Sequence, residues 1–160
     1  TAAKGKTCVG SGNLLMESVH VAHDAFVGND CIIGNGTKLA GEIIIDDHAI
    51  ISANVLMHQF CRVGGYTMVG GGTRFSQDIP PYTICAREPV AYCGLNLVGL
   101  RRRGFSNELI ENIHNTYRII YQGGVPLNEA LQKVREEVPA SPEINYIIEF
   151  IENSKRGFVH

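Results

Sequence analysis

Residues 9–75 read VGSGNLLMESVHVAHDAFVGNDCIIGNGTKLAGEIIIDDHAIISANVLMHQFCRVGGYTMVGGGTRF. From Val9 onward every sixth residue is bulky and apolar: Val9, Leu15, Val21, Val27, Ile33, Leu39, Ile45, Ile51, Met57, Val63, Val69 and Phe75. The next residue is small in most hexads, as in Gly10, Ala22, Gly28, Gly34, Ala40, Ser52, Gly64, Gly70 and Ser76. The fourth after the bulky residue is usually small or β-branched, as in Ala25, Cys31, Thr37, Ala49, Val55, Cys61, Thr67 and Thr73. A period of six matches neither an α-helix nor a simple alternating strand. It fits a short strand plus a turn, with one bulky side chain per hexad pointing into a narrow prism. Three hexads close one triangular coil, and the hexads of this stretch give about four coils, stacked as parallel strands about 4.8 Å apart. The small residues are expected to let the chain bend at each corner, glycine tolerating the φ values needed there.

Working outward, the repeat is expected to stop at Pro80-Pro81, the first prolines of the chain, since proline has no N–H for a continuing ladder. Residues 1–80 are thus read as the prism, 81–105 as a connecting loop, and 106–160 as a three-helix domain. Ser106 is the expected N-cap of a helix that carries Leu109, Ile110, Ile113, Tyr117, Ile120 and Tyr121 on one face and closes at Gly123-Gly124. Asn128 is the expected cap of a second helix, with Ala130, Leu131 and Val134 inward. Ser141-Pro142-Glu143 opens a third, whose buried stripe is Ile147, Ile148 and Ile151. At the other end the chain starts with Thr1, and residues 1–8 offer only a polar lead-in to a repeat already in phase. Terminal coils are ordinarily capped, so the chain reads as the C-terminal part of a longer protein.

Composition narrows the function. With 160 residues, 44% hydrophobic and 19% charged, the chain can bury a core and is not disordered. No apolar run is long enough to span a membrane, and TAAKGKTCVG holds no signal-peptide core. Five cysteines without a CxxC pair suggest reduced thiols in a cytoplasmic protein. The net charge of −2 conceals an excess of cations in 81–105, most of it in Arg101, Arg102 and Arg103. Such a chain is a poor general nucleic-acid binder. The basic spot suits a small phosphate ligand or an acidic protein partner, or is a solvated arginine run beside a turn.

In an 18-residue coil, residues 18 apart stack in columns. His23, Gly41 and Gln59 share one column; Ala22, Ala40 and His58 the next; His20, Lys38 and Leu56 lie slightly further round. A histidine, titrating ordinarily at about 6.5, can act as general base at neutral pH. The adjacent Asp24 can hold its tautomer and support the imidazolium. Gly41 has no side chain to cover its N–H, which could meet the oxyanion of an acyl-transfer intermediate. The plainer alternatives are that polar residues simply decorate the outside of a prism and that a lone glycine serves a corner.

The stretches NLLMESVHVAHDAFVGNDC (Asn13–Cys31), LAGEIIIDDHAII, VLMHQFCRVGGYTMVGGG, QDIPPY and GLNLVGLRRRGFS resemble the bacterial UDP-N-acetylglucosamine O-acyltransferases of lipid A biosynthesis. The resemblance runs from about residue 6 to the end. It implies a left-handed parallel β-helix with a small C-terminal α-helical domain. It also implies transfer of a 3-hydroxyacyl chain from acyl carrier protein to the glucosamine 3-hydroxyl of UDP-N-acetylglucosamine, without cofactor or metal. The enzymes it resembles are cytoplasmic homotrimers with active sites between adjacent prisms. Carried over by position, the base falls on His23, the orienting acid on Asp24 and the oxyanion amide on Gly41. Substrate contacts fall on His20, His58 and Gln59, and nucleotide and phosphate contacts on Asn96, Arg102 and Arg103. Gly71 falls where acyl-chain length is set, a glycine leaving a deeper groove. Glu42 stands where many members have histidine, and Val98 where an acidic residue is often found.

Two further readings stay open on the sequence. A metal lyase like the γ-type carbonic anhydrases would use His20, His23 and His58 as zinc ligands. His23 and His58 lie nearly two coils apart, about 10 Å along the axis, so only a trimer interface could bring them to one metal. A non-catalytic β-helix scaffold would use the histidines for interface hydrogen bonds. The related N-acyltransferase of the same pathway is a nearer rival reading, differing in its acceptor and its C-terminal region.

Overall fold

The structure, a computed structural model, describes residues 4–160; the first three residues assigned to the prism lie outside the described residues. The hexads form two-residue strands on three faces. The first face carries β1 (Cys8–Val9), β4 (Phe26–Val27), β7 (Ile44–Ile45) and β10 (Arg62–Val63). The second carries β2 (Leu14–Leu15), β5 (Ile32–Ile33), β8 (Ile50–Ile51) and β11 (Met68–Val69), and the third β3 (His20–Val21), β6 (Lys38–Leu39), β9 (Leu56–Met57) and β12 (Arg74–Phe75). All pair in parallel at a register of 18 residues, for example Cys8↔Phe26, Leu14↔Ile32 and His20↔Lys38. Inter-coil bonds such as Phe26 N–H to Ile43 O (2.8 Å) and Gly34 N–H to Ile51 O (2.7 Å) run up each face.

From the second coil upward the bulky residues point inward: Val27, Ile33, Leu39, Ile45, Ile51, Val63 and Val69 are fully buried. The residues four places later (Cys31, Ile43, Ala49, Val55, Cys61) also lie inside, so each hexad gives the core two side chains. All five cysteines are free thiols. Burial pushes the Cys61 thiol up to about 11 and the Cys85 thiol to about 12, leaving both unreactive at neutral pH.

The corner geometry differs from the expectation in an informative way. Positive φ falls on every sixth residue from Gly12 to Gly72, and most of these are not glycine: Ser18, Asp24, Asp30, Glu42, His48, Asn54, Phe60 and Tyr66 all have φ between 54° and 70°. The small residue after each bulky one serves close stacking instead. A Cβ on Gly34 would lie 2.5 Å from Ala53 N and 2.6 Å from Ser52 C, both backbone atoms of the next coil.

Pro80-Pro81 does not end the stacking. Ile79 bridges Val63 in parallel, and β13 (Thr83–Ala86) continues the second face with Met68↔Ile84 and Val69↔Cys85. The prolines fit because they occupy a corner, where Pro81 packs on Gly64 and no ladder N–H is required. The stretch 81–105 is therefore not a loop. It holds β13, the antiparallel β14 (Ala91–Leu95) and a short helix α1 (Leu97–Arg102). Ser106 caps α2 (Asn107–Gln122), accepting the Leu109 N–H at 3.1 Å, and Ser141 caps α4 (Pro142–Glu152), accepting that of Ile144 at 3.2 Å. Asn128 is not a cap: α3 (Leu127–Glu137) starts after Pro126 without a side-chain cap, and Asn128 sits in its first turn.

The helices share a second core and close the upper end of the prism. Tyr117 Oη donates to Pro81 O at 2.6 Å, and Tyr146 Oη donates to Asp46 while accepting the Gly65 N–H at 2.7 Å. Val159 reaches back into the prism core, its N–H donating to Asp78 O at 2.9 Å. Among the described residues no helix is long and apolar enough to cross a membrane.

Two glycine substitutions separate stacking from space. Gly34→Ala forces backbone apart and is expected to cost about 1–3 kcal/mol. Gly71→Ala, whose Cβ would meet nothing closer than Ala53 O at 3.5 Å, is expected to stay within about 0.5 kcal/mol. Denaturant midpoints of the two variants check the contrast.

Candidate acyl-transfer site

The corner between the third and first faces collects residues 22–25, 40–43 and 58–61 from successive coils. Val21 and Val27, either side of the first of these turns, fix its path. Asp24 takes the positive φ (59°), which brings its carboxylate back beside the preceding imidazole. His23 Nδ1 lies 2.9 Å from Asp24 Oδ2, with the His23 side chain 44% exposed and that of Asp24 wholly buried. A buried carboxylate on Nδ1 keeps the proton on that nitrogen and leaves Nε2 as the basic lone pair.

The column relation holds. His23 packs against Gly41 of the coil above, so that a Cβ there would sit 2.6 Å from both Cε1 and Nε2 of the ring. Only a residue without a side chain lets the imidazole lie flat on the next coil. The Gly41 N–H donates to no protein acceptor among the described residues. At the neighbouring corner the equivalent amides are taken by the side chain one coil on: Ser11 N–H by Asn29 Oδ1 and Asn29 N–H by Asp47 Oδ1, both at 2.8 Å. Gln59, one coil beyond Gly41, supplies no such bond. A base and an unclaimed amide donor thus lie within one side chain of each other, the pair that acyl transfer requires.

His20 is exposed on the third face beside Lys38. His58 is also exposed, its Nδ1 3.0 Å from Gln59 O, and it borders a groove of about 290 Å³ that runs past Met57, Arg74 and Phe75. Among the described residues no three His, Cys, Asp or Glu side chains cluster as metal ligands.

The remaining expected residues lie elsewhere. Asn96, Arg102 and Arg103 are at the corner between the first and second faces. There Asn96 Nδ2 donates to Tyr66 O at 3.1 Å and Asn96 Oδ1 accepts the Gly99 N–H at 3.3 Å. Arg103 borders a small cleft with His48, Ile50 and Tyr66. Burial pushes the Tyr66 phenol up, the nearby Arg103 charge opposing the shift. Gly71 is exposed at the third corner. One prism thus spreads the expected residues over three corners, separated by faces roughly 15 Å wide.

The sequence reading missed the strap behind Asp24. Asp24 Oδ1 accepts the backbone N–H groups of Lys4 (3.0 Å) and Lys6 (3.3 Å), and the Asp24 N–H donates to Thr7 Oγ1 (3.0 Å). Lys4 Nζ reaches Glu42 Oε2 at 3.1 Å. Lys6 stands 18 residues before Asp24 and so falls in its column, the one signal in the sequence for this link.

A stacked-coil prism with a His–Asp pair on a bare glycine and a helical cap defines a protein of the hexapeptide-repeat β-helix class. The family model described as UDP N-acetylglucosamine O-acyltransferase, domain 2, matches residues 78–159. The chain belongs to the UDP-N-acetylglucosamine O-acyltransferase family. An acyl-[acyl-carrier-protein]–UDP-N-acetylglucosamine O-acyltransferase of Aliivibrio salmonicida is 39% identical over 156 residues, covering 98% of this chain and 60% of the relative. The solved UDP-N-acetylglucosamine acyltransferase of Bacteroides fragilis is 71% identical over the whole chain and 63% of its own length, with a TM-score of 0.97. That of Arabidopsis is 33% identical with a TM-score of 0.92, covering 99% of this chain and 58% of its own. The fold is the left-handed parallel β-helix of these structures. The chain spans about 60% of the length of the curated relatives it matches.

Gly41→Ala tests the contact between coils. It is expected to push the imidazole off its seat and lower any acyl transfer that depends on it by about 100-fold, while the circular dichroism spectrum stays that of the parent.

Proposed function

We propose that the protein transfers a 3-hydroxyacyl chain from acyl carrier protein to the glucosamine 3-hydroxyl of UDP-N-acetylglucosamine, the first step of lipid A biosynthesis. The observation that carries this reading is the seating of the His23 imidazole on Gly41, with Asp24 behind it. Family membership supplies the substrates.

In the proposed reaction, His23 Nε2 takes the proton of the sugar 3-hydroxyl as that oxygen attacks the thioester carbonyl. Asp24 accepts the Nδ1–H and stabilises the imidazolium formed. The carbonyl oxygen becomes an oxyanion facing the Gly41 N–H. Collapse breaks the carbon–sulfur bond, and the departing thiolate takes the proton back from His23 Nε2. His20, His58 and Gln59 bind substrate around this centre, and Gly71 leaves room for the end of a long acyl chain. No cofactor enters.

The positions of Asn96, Arg102 and Arg103 favour a homotrimer. They face a different corner from His23, so a diphosphate held by these arginines meets the His23 of an adjacent subunit. The reaction needs no membrane span, and the protein is proposed to act in the cytoplasm on a soluble nucleotide sugar and an acidic carrier protein.

His23→Ala in the full-length protein is expected to lower transfer by about 10³-fold or more, with the trimer and its melting temperature unchanged. Transfer is followed with 3-hydroxyacyl carrier proteins and the oligomer by sedimentation. Wild-type turnover by this variant would refute the mechanism. A change confined to oligomer stability would favour a scaffold.

A further inference from the structure

Asp24 and Glu42 stack one coil apart at the same corner, 18 residues separating them, and both adopt positive φ (59° and 58°). The corner thus brings two carboxylates onto adjacent rungs, the Asp24 side chain wholly buried. Lys4 addresses both at once. Its ammonium pairs with Glu42 Oε2 at 3.1 Å, and its backbone N–H donates to Asp24 Oδ1 at 3.0 Å, with the Lys6 N–H beside it at 3.3 Å.

We infer that the Lys4–Glu42 ion pair is a clip that holds residues 4–6 against Asp24 and thereby aims the His23 base. The inference rests on the proposed acyl-transfer reading and assigns Lys4 and Glu42 as positioning residues within it. Asp24 divides its oxygens: Oδ1 is occupied by the strap amides and Oδ2 by His23 Nδ1. With Oδ1 fixed, the carboxylate cannot rotate, and the imidazole keeps Nε2 pointed outward. Released amides would loosen the hold on the carboxylate and, through it, on the ring at the Gly41 seat. The Glu42 carboxylate secures the strap through the Lys4 ammonium.

An ion pair whose lysine is 71% exposed adds little to global stability. Its effect belongs to the strap and to turnover. Lys4→Met, Glu42→Gln and the double variant are compared with wild type, in the full-length protein, at saturating UDP-N-acetylglucosamine and acyl carrier protein. Each single variant is expected to lose about three- to fivefold in kcat, the double no more than either, with KM within about twofold and melting temperatures unchanged. Wild-type kcat is expected to fall with added salt towards the variants' value, and theirs to stay flat.

Amide hydrogen exchange, which needs no turnover, is followed in parallel. Lys4 and Lys6 are expected to be protected in wild type and to exchange faster in all three variants, while Cys8 and Gly10, bonded within the ladder, stay unchanged. Unprotected Lys4 and Lys6 amides in wild type would overturn the inference. So would loss of kcat in Glu42→Gln but not in Lys4→Met, which would mean that the carboxylate acts on substrate directly. A wild-type protein that transfers no acyl chain would instead defeat the functional reading, leaving exchange to judge the clip.

Discussion

The inter-coil hydrogen-bond ladder is the constraint from which everything else follows. Each coil donates N–H groups to the coil above along all three faces, and the register never departs from 18 residues between β1 and β12. A residue therefore has a fixed vertical neighbour, set by counting and not by side-chain preference. Bulky residues at one phase fill the prism, and small residues at the next allow coils to approach. The corners are left to carry chemistry. His23 beneath Gly41 and Asp24 beneath Glu42 are two consequences of that single count.

The same regularity explains what the sequence reveals. The period of six, the triangular coil and the His23–Gly41 contact are legible because each depends only on spacing. The use of the small residues is not. Glycine is commonly placed at turns for its φ freedom, yet in this prism Asp24, Glu42, Tyr66 and others take the positive φ, while Gly34 and Gly64 make room for the next coil. Pro81 reads as a stop signal, but a corner asks no ladder hydrogen bond of it. Asn128 resembles a cap by type alone; Pro126 ends the preceding segment earlier and takes its place. The strap from Lys4 to Thr7 is legible only in part: Lys6 stands 18 residues before Asp24, whereas the Lys4 contacts to Asp24 and Glu42 follow no period.

The helical cap and the prism are coupled through a few polar tyrosines. Tyr146 joins α4 to Asp46 and Gly65, and Tyr117 joins α2 to Pro81. Burial pushes the Tyr117 and Tyr146 phenols well above their ordinary range, so both remain neutral donors. The bundle thus fixes the corner at which Asn96 is buried and from which Arg102 and Arg103 project. In the proposed enzyme this matters because the two halves of the site sit on different corners. In that proposal the rigidity of one prism sets the base, and the docking of the cap sets the phosphate contacts offered to a neighbour.

The claim most exposed to test is that one subunit supplies His23 and another the arginines. His23→Ala and Arg102→Ala/Arg103→Ala subunits, each inactive alone, can be co-assembled in equal amounts and assayed for acyl transfer. The account predicts recovery of about one quarter of wild-type activity, the statistical share of interfaces with both halves intact. Activity no higher than that of the two parents would contradict it.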